Sequence, residues 1–456
     1  TLRHISRCSI KPEFVSEESK AQPFYLNPSD LAMVNSHYIQ KGLLFPKPPS
    51  INTFIDYLKV SLSLTLVHFL PLTGHLVTNK QDEQDPPSYS ISIDCKTIPG
   101  VDFVHAVADV TMADFLSPNN DVPQIVQSFF LLDKSLNHDG HSLPLLAVQV
   151  TELLDGIFIA CSFNHVVGDG TSYWHFFKQW ADICRMVKTV NHEHISRPPV
   201  LNRWFLDGHG PIISLPFSHS DGFVDKCLPV SMGLKDKFFH FSPQSIAKLK
   251  AKANAESTTT SGSTISSFQA LFALIWRSVT RARRHLPNHQ KTTCRMAINN
   301  RSRLNPPLSP NYFGNCIQAV ITSATVGELL SHGIGWAAWL LDEAVNDHSD
   351  SKVRRKVEEW LKSPYQFGNF FDPYGIMMES SPRFTMYGCD FGWGQAEAVR
   401  SGFANKFDGK VSSYPGRHEE GSVDLEMRLP PETMSALEFD PEFMDAVSLS
   451  HHHQLH

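Results

Sequence analysis

The order of strand-like and helix-like segments most constrains what this chain can fold into. Apolar runs typical of strands at 145–150 and 156–163 precede a helical pattern at 171–187. The later predicted segments are strands at 236–241, 293–299 and 317–323, and helices at 243–253, 266–284, 326–346 and 351–362. Strands and helices therefore mix without the regular alternation of a doubly wound parallel sheet. We predict an α+β fold built from two sheet-and-helix layers.

A change in composition divides the chain. Between 192 and 216, His, Pro, Gly and Asn dominate and no periodicity persists, which is typical of a connecting loop. A chain of 456 residues is also too long for one ordinary domain. We therefore predict an N-terminal domain at 1–191, a crossover linker at 192–225 and a C-terminal domain at 226–456.

Composition limits the partners and the compartment. The formal net charge of -6 gives no basic surface for nucleic acid, and the longest apolar runs are too short to span a bilayer. Eight scattered cysteines contain no C-x-x-C pair, which favours reduced thiols over a disulfide framework. We expect a cytoplasmic monomer without a metal site, and we interpret the histidines at 451–453 and 456 as a terminal tail.

The richest local signal lies at 157–172, where a predicted strand runs into a predicted helix. Apolar residues alternate up to Phe163, His165 follows, and a turn flanked by glycines leads into the helix. A histidine at the end of a strand can face a cleft on rigid backbone, and with a pKa of about 6.5 its neutral ring accepts a proton at pH 7. His165 is therefore a candidate general base. Asp169 either pairs with an arginine or orients the imidazole.

The spacing of these two residues is weak evidence by itself. With 23 histidines in the chain, about one chance match to H-x-x-x-D is expected. His105 and Asp109 supply such a match, with no glycine between them and no strand-to-helix turn. We interpret His105 as structural and favour His165.

Three further segments point to a known family. The sequence reads P-L-T-G-H-L at 71–76, N-Y-F-G-N at 311–315 and C-D-F-G-W-G at 389–394. Together with H-x-x-x-D-G at 165–170, these ordered motifs resemble the BAHD acyltransferases of plants over essentially the whole chain. The chain departs from the family pattern at His75, where an arginine is usual, and at Gly388-Cys389 and Gln395-Ala396 beside the last motif.

The resemblance implies an architecture and a reaction. Two similarly folded domains of the chloramphenicol-acetyltransferase type flank a channel open at both faces. Acyl-CoA enters as a co-substrate, a hydroxyl or amine acceptor enters from the other side, and no cofactor is bound permanently. His165 deprotonates the acceptor as it attacks the thioester, without an acyl-enzyme intermediate. Trp393, or the backbone amides of 390–394, would stabilise the oxyanion.

The resemblance also implies roles for residues around the histidine. Asp169 is expected to pair with Arg301 and to be structural rather than catalytic. Coenzyme contacts are expected at Ser266 and Ser267, where a predicted helix begins and free amides suit phosphate. Ser36 and Tyr38 are expected in the acceptor pocket. The remaining residues interpreted as structural at the site are Gly170, Asp390, Tyr312 and Asn315.

The sequence leaves two other functions open. One branch of the family, which the segments 22–26 and 380–384 resemble, includes a lyase that releases salicylate from an isochorismoyl-glutamate conjugate. The motif histidine is altered in that lyase. A non-catalytic protein that binds a small molecule in the channel is the second alternative. Intact His165, Asp169 and Gly170 favour acyl transfer, but nothing in the sequence determines the acyl donor or the acceptor.

Overall fold

Two mixed sheets, each six-stranded among the described residues, form the frame of the protein. The computed structural model describes residues 1–81, 88–116, 121–187, 195–217, 222, 224, 233–257, 264–365 and 372–448. The histidine tail at 451–456 and parts of the predicted linker at 192–225 lie outside the described residues.

The described strands are numbered in chain order. They are β1 (Leu2–Ile10), β2 (Phe24–Tyr25), β3 (Ile39–Pro46), β4 (His75–Gln81), β5 (Ser88–Asp94), β6 (Val101–Ala108), β7 (Leu146–Glu152), β8 (Gly156–Phe163), β9 (Lys235–Phe241), β10 (Lys291–Asn299), β11 (Ile317–Thr325), β12 (Ile376–Glu379), β13 (Ala398–Ser401), β14 (Lys410–Pro415) and β15 (Val423–Leu429).

The described helices are numbered in the same way. They are α1 (Glu17–Ala21), α2 (Pro28–Leu31), α3 (Ile51–His68), α4 (Met112–Leu116), α5 (Gly170–Val187), α6 (Pro243–Ser257), α7 (Ser267–Ala282), α8 (Val326–Ser331), α9 (Ile334–Asn346), α10 (Asp350–Lys362), α11 (Pro431–Glu438) and α12 (Pro441–Ala446).

Strand pairing builds the two sheets mostly from the two halves of the chain. The first sheet has the order β1-β6-β7-β8-β3-β13, the second has the order β11-β10-β12-β14-β15-β9, and β2, β5 and β4 form a small third sheet. Parallel pairs join β6 to β7, β10 to β12 and β12 to β14. β13 belongs to the second half of the chain, since it follows the predicted linker in sequence, but it pairs with β3 of the first sheet.

Each large sheet packs helices against one face. α3 and α5 cover the first sheet, where Leu58, Phe177 and Ile159 belong to one buried cluster. The indole of Trp180 on α5 donates to the Leu58 carbonyl at 3.2 Å, so a fully buried tryptophan keeps its polar group satisfied. α6, α7 and α9 pack together on the second sheet. The opposite face of the first sheet packs partly against Phe115 of α4, in a buried cluster with Leu44 and Phe158, and residues of both large sheets line a cavity.

These observations confirm the predicted α+β class with two mixed sheet-and-helix units. The division at 192–225 stays a prediction, to which the structure adds the pairing of β13 with β3. The seven cysteines that lie in the described ranges are free thiols. Within those ranges, no helix is long and apolar enough to cross a membrane.

Candidate active site

His165 lies between β8 and α5, at the wall of a large cavity. β8 is buried along its whole length, so the direction in which the chain leaves the sheet is constrained by packing. The amide of Asn164 donates to the Leu145 carbonyl at 2.8 Å, and the amide of His165 donates to Asn137 Oδ1 at 2.7 Å. These two bonds anchor the backbone of the histidine before α5 begins.

The cavity beside His165 has a volume of about 1470 Å³ and lies between the two large sheets. Lys41 of β3 and Ser401 of β13 contribute to one wall, and Arg295 of β10 and Lys410 of β14 contribute to the other. Ordinary small-molecule pockets have volumes of about 300–1,000 Å³. The cavity is therefore large enough to hold two ligands side by side at the histidine.

Asn315 sets the tautomer of the His165 ring. Asn315 Nδ2 lies 2.9 Å from Asp30 Oδ1 and 2.7 Å from the His165 carbonyl, so this atom must be the donating amide nitrogen. Asn315 Oδ1 is then an acceptor, and it lies 3.1 Å from His165 Nδ1. Nδ1 consequently carries the ring hydrogen. Nε2 holds the lone pair and makes no hydrogen bond to any part of the chain that the structure describes.

Burial lowers the pKa of His165 below its ordinary value. A contact with its own backbone, the negative charges of Asp169 and Glu379, and the bond to Asn315 oppose this shift without cancelling it. The ring is therefore neutral at pH 7 and able to accept a proton. The sequence suggested a pKa near the ordinary value, and the structure corrects that expectation downward.

Asp169 points away from the imidazole and forms a bidentate ion pair with Arg301. The distances are 2.7 Å from Nη1 to Oδ2 and 3.0 Å from Nη2 to Oδ1, and both side chains are almost entirely buried. The carboxylate also accepts from the backbone amides of Ser172 and Cys316. Burial alone would raise the pKa of Asp169, but Arg301 and these amides hold it below its usual value.

Arg301 and Ser172 extend this network to the loop that carries Asn315. Arg301 donates to the carbonyls of Tyr312 and Gly314 at 3.1 and 2.9 Å. The hydroxyl of Ser172 donates to the Gly314 carbonyl at 3.0 Å and accepts from the Gly314 amide at 2.9 Å. The ion pair therefore holds two loops together: one presents His165 and the other presents the amide that orients its ring.

Asp30 and Arg203 are site residues that the sequence did not identify. Arg203 Nε donates to Asp30 Oδ2 at 2.8 Å, and Nη2 donates to the Val167 carbonyl at 2.8 Å. A third contact joins Nη1 to the Phe313 carbonyl. Arg203 is one of two arginines in the predicted linker, and its local signal is only the surrounding composition. Asp30 completes a capping box with Asn27, a pattern that indicates a helix start rather than a site.

Two glycines of the turn, Gly168 and Gly170, differ in the space that their surroundings leave for a side chain. A Cβ at Gly168 would lie 2.5 Å from the Ser172 Cβ, so the turn closes only without a side chain there. A Cβ at Gly170 would meet the Phe384 ring at 3.5 Å, an ordinary contact, and Gly170 does not have a positive φ. Gly168 is therefore the sterically demanded glycine, whereas the sequence analysis singled out Gly170.

The loop at 390–394 lies outside the cavity lining, contrary to the catalytic expectation for Trp393. The Trp393 indole donates to the Pro46 carbonyl at 3.2 Å, and its ring packs 3.8 Å from the Phe54 ring centre. Asp390 Oδ1 accepts from the amides of Gly392, Trp393 and Gly394. The indole and the amides proposed for the oxyanion are thus engaged within the protein. Asp390 shapes the loop, in which Gly392 and Gly394 adopt positive φ.

Of the two residues expected in the acceptor pocket, the structure places one at the cavity. Ser36 lines it, although its hydroxyl donates to the Met33 carbonyl at 2.9 Å. Tyr38 is fully buried, and its hydroxyl donates to the Pro144 carbonyl at 3.1 Å. The Tyr38 phenol is therefore bonded within the protein and does not line the cavity, and its role in the acceptor pocket stays a prediction.

Ser266 and Ser267 also lie outside the cavity lining. Ser266 caps α7 in a reciprocal box, in which its amide donates to Gln269 Oε1 at 2.6 Å and its hydroxyl accepts from the Gln269 amide at 3.3 Å. Two amides at this helix start are therefore already bonded. A coenzyme contact here stays a prediction.

His105 belongs to a separate pair in the first sheet. Its Nε2 lies 2.6 Å from Glu152 Oε1 on the neighbouring strand, and the side chain is buried. His105 does not line the cavity.

Comparison with known proteins agrees with this architecture. Residues 2–444 match the model of the family described as the Transferase family. An uncharacterised acetyltransferase of Arabidopsis thaliana is 36% identical over 446 residues, which cover 97% of this chain and 98% of the relative. The BAHD acyltransferase DCR of the same plant is 34% identical over 97% of this chain and 92% of its own length.

A solved structure shares the fold. The crystal structure of F. sporotrichioides TRI101 complexed with coenzyme A and T-2 superposes with a TM-score of 0.71 at 20% identity, covering 94% of this chain and 99% of that one. With the family match over nearly all of its length, the chain belongs to the Transferase family of BAHD acyltransferases, enzymes that transfer acyl groups from coenzyme A thioesters to hydroxyl or amine acceptors.

Proposed function

We propose that this protein transfers an acyl group from an acyl-CoA to a hydroxyl or amine of a specialised metabolite, with His165 as the general base. The observation that carries the proposal is the bond from His165 Nδ1 to Asn315 Oδ1. It directs the ring hydrogen away from the cavity and leaves Nε2 as the basic atom. A base needs both a lone pair within reach of the acceptor and a neutral ring at working pH.

The reaction needs one proton carrier and no covalent intermediate. His165 Nε2 takes the proton as the acceptor oxygen or nitrogen attacks the thioester carbonyl carbon. The tetrahedral intermediate then collapses, the carbon–sulfur bond breaks, and the imidazolium returns the proton to the departing thiolate. Both substrates must be bound together for this sequence, and a cavity of about 1470 Å³ supports such a ternary complex.

Acyl-CoA is the co-substrate in this proposal, and no permanently bound cofactor is involved. The related fold of TRI101 is known in complex with coenzyme A, which supports a coenzyme site between the two sheets here. A cytoplasmic monomer remains our prediction for the state of the protein.

Release of free coenzyme A thiol tests the proposal directly. Acetyl-, benzoyl-, hydroxycinnamoyl- and malonyl-CoA are each incubated with a panel of plant alcohols and amines. With an active pair, His165→Ala should reduce turnover by on the order of a hundredfold or more while coenzyme binding persists. His105→Ala is the matched control, and its turnover per folded molecule should stay unchanged.

Two outcomes would overturn the proposal. Near-normal turnover by a folded His165→Ala variant, across several substrate pairs, would exclude the base. No thiol release by the unmutated protein with any pair would favour the lyase or the binding protein, and a screen without coenzyme would follow.

A further inference from the structure

Charged side chains cover the face of the second sheet that lines the cavity. Strand register places Arg295, Met377, Lys410, Arg428 and Asp236 in one row across five neighbouring strands. The next row holds Glu379, Ser412 and Glu426 side by side. Each buried charge in this wall is costly unless an opposite charge or a hydrogen bond compensates it.

Three carboxylates of this wall are matched by three cations. Glu379 pairs with Lys410 at 2.5 Å. Glu426 pairs with Lys406 at 2.5 Å. Asp236 pairs with Arg428 at 3.0 Å and with Lys406 at 3.1 Å. These six groups balance one another.

Lys41 is a fourth cation on the opposite wall. It is 9% exposed and donates to the Tyr414 hydroxyl at 2.7 Å, while that hydroxyl donates to Glu426 at 2.8 Å. Among the described residues, no carboxylate lies within ion-pair distance of the Lys41 ammonium. Burial lowers the pKa of Lys41 to about 8, against the opposing charges of Glu379 and Glu426.

Arg295 is a fifth cation, and it has no partner at all in the described part of the chain. Its side chain lines the cavity, and its Nε is buried without a hydrogen bond. Burial lowers the pKa of Arg295, and only the field of Asp372 opposes this. That carboxylate is itself occupied, by the Thr293 hydroxyl at 2.5 Å and the Tyr374 amide at 3.0 Å.

Lys41 is buried and Arg295 is half-buried, and removing cations from water without a counter-charge costs stability. A protein retains such groups where a bound ligand supplies the missing charge, which is why unbalanced buried charge marks functional sites. Lys41 and Arg295 therefore remain as two cations of the cavity lining that have no carboxylate at ion-pair distance among the described residues. A carboxylate suits them, since a guanidinium and an ammonium both donate charge-assisted hydrogen bonds to it.

We propose that the positive charge which Arg295 and Lys41 bring to the cavity favours a substrate that carries a carboxylate. This inference rests on the proposed function and names the substrate class for the same site. Lys41 pairs in register with Cys161, and Cys161 lies four residues before His165. On the other wall, Arg295 lies four residues before Asn299, and the side-chain amide of Asn299 donates to the Thr171 hydroxyl. Four residues of strand span roughly 13 Å. The carboxylate therefore binds away from the reacting atoms, at the far end of the acceptor or of the acyl group.

Paired substrates test the proposal and identify which substrate carries the charge. In one arm a neutral donor, benzoyl-CoA, is offered with hydroxybenzoates or anthranilate and with their methyl esters. In the other arm a neutral alcohol is offered with malonyl-CoA and with acetyl-CoA. Both members of each pair contain the same coenzyme phosphates, so these phosphates do not contribute to the difference in kcat/KM. The charged member should be preferred in one arm by about tenfold or more in kcat/KM.

Arg295→Gln should abolish that preference by raising KM for the charged substrate, with neutral substrates unaffected. Because no contact is lost, its melting temperature should equal or exceed that of the unmutated protein. Lys41→Met should weaken the same preference. Arg284→Gln, an exposed arginine outside the cavity lining, is the control and should change nothing. Equal use of charged and neutral members in both arms, or a preference that survives both cavity variants, would overturn the proposal.

A binding measurement separates this proposal from the catalytic one. Benzoate and benzamide are compared by thermal shift, which needs no turnover. Stabilisation by benzoate that is lost in Arg295→Gln supports the carboxylate site even if no acyl transfer is found. Equal response to both compounds, in a protein that turns over no charged substrate, refutes it.

Discussion

Asn315 and His165 share two hydrogen bonds: Asn315 Nδ2 donates to the His165 carbonyl at 2.7 Å, and its Oδ1 accepts from the ring Nδ1 at 3.1 Å. Asp30 holds the other side of the amide, accepting from Asn315 Nδ2 and from its backbone amide, both at 2.9 Å. The amide therefore cannot rotate by half a turn without placing its oxygen against a carboxylate. One tautomer of His165 is selected by a residue 150 positions away.

Replacing Asn315 should impair the base without removing it. Asn315→Ala frees the ring to adopt either tautomer, so kcat should fall by about tenfold or more with a smaller change in KM. Single-turnover kinetics with a saturating acyl-CoA would measure this. Asn311→Ala, four residues earlier and bonded to Arg197 instead, is the matched control. An unchanged kcat in Asn315→Ala would mean that the ring needs no orienting partner.

The pH dependence follows from the lowered pKa of His165. Because burial favours the neutral ring, kcat/KM should be at its plateau at pH 7. It should decline only as the pH falls through a value below the ordinary 6.5 or so. Glu379→Gln removes a negative charge that raises this pKa, so its acid limb should move to still lower pH. An acid limb above pH 7 would contradict the assignment.

The Asp169–Arg301 pair should contribute stability rather than chemistry. Asp169→Asn leaves a buried guanidinium unpaired, at a cost of about 3–5 kcal/mol. Because the folded pKa of Asp169 is depressed, this contribution is present above its unfolded pKa of about 3.9 and is lost as the pH falls through the folded value. The difference in melting temperature between parent and variant should therefore be as large at pH 5 as at pH 7, and it should shrink only as the pH falls below about 3.9. Adding Arg301→Leu should recover part of the loss, since no charge is then left alone.

Sequence patterns predicted the helices and strands well where the pattern is local. The helix predicted at 171–187 is α5, Gly170–Val187, and the strand predicted at 236–241 is β9, Lys235–Phe241. The single helix predicted at 326–346 is wrong, because the chain forms α8 and α9 with a break before Gly333. A Cβ at Gly333 would meet the Glu256 carboxylate. That contact comes from α6, so no local pattern could reveal it.

The site residues, too, were predictable only where a local sequence pattern marks them. His165 could be located from its strand-to-turn context, and Arg301 from its motif neighbourhood. Asp30 and Arg203 act through contacts between segments 173 residues apart, which periodicity does not encode. For Trp393, the position in a glycine-rich motif predicted a role at the channel, whereas the direction of its indole depends on packing against β3 and α3.

The two turn glycines should respond differently to alanine. In Gly168→Ala the new methyl would overlap Ser172, whose hydroxyl bonds both polar backbone atoms of Gly314. Such overpacking costs about 1–3 kcal/mol, so the melting temperature and the turnover should both fall. Gly170→Ala meets only an ordinary contact and gains helix propensity, so its melting temperature should hold or rise. A Gly170→Ala variant less stable than Gly168→Ala would contradict this placement.

Trp393→Phe separates a packing role from an oxyanion role. The variant keeps an aromatic ring beside Phe45 and Phe54 and loses the indole hydrogen bond to the Pro46 carbonyl. We expect a stability loss of about 0.5–1.5 kcal/mol and unchanged turnover per folded molecule. Trp276→Phe, which loses a comparable indole bond to Thr292 and does not line the cavity, calibrates the stability effect. A loss of about a hundredfold in kcat at constant KM, the scale of a missing oxyanion donor, would instead mean that Trp393 turns into the cavity when substrates bind.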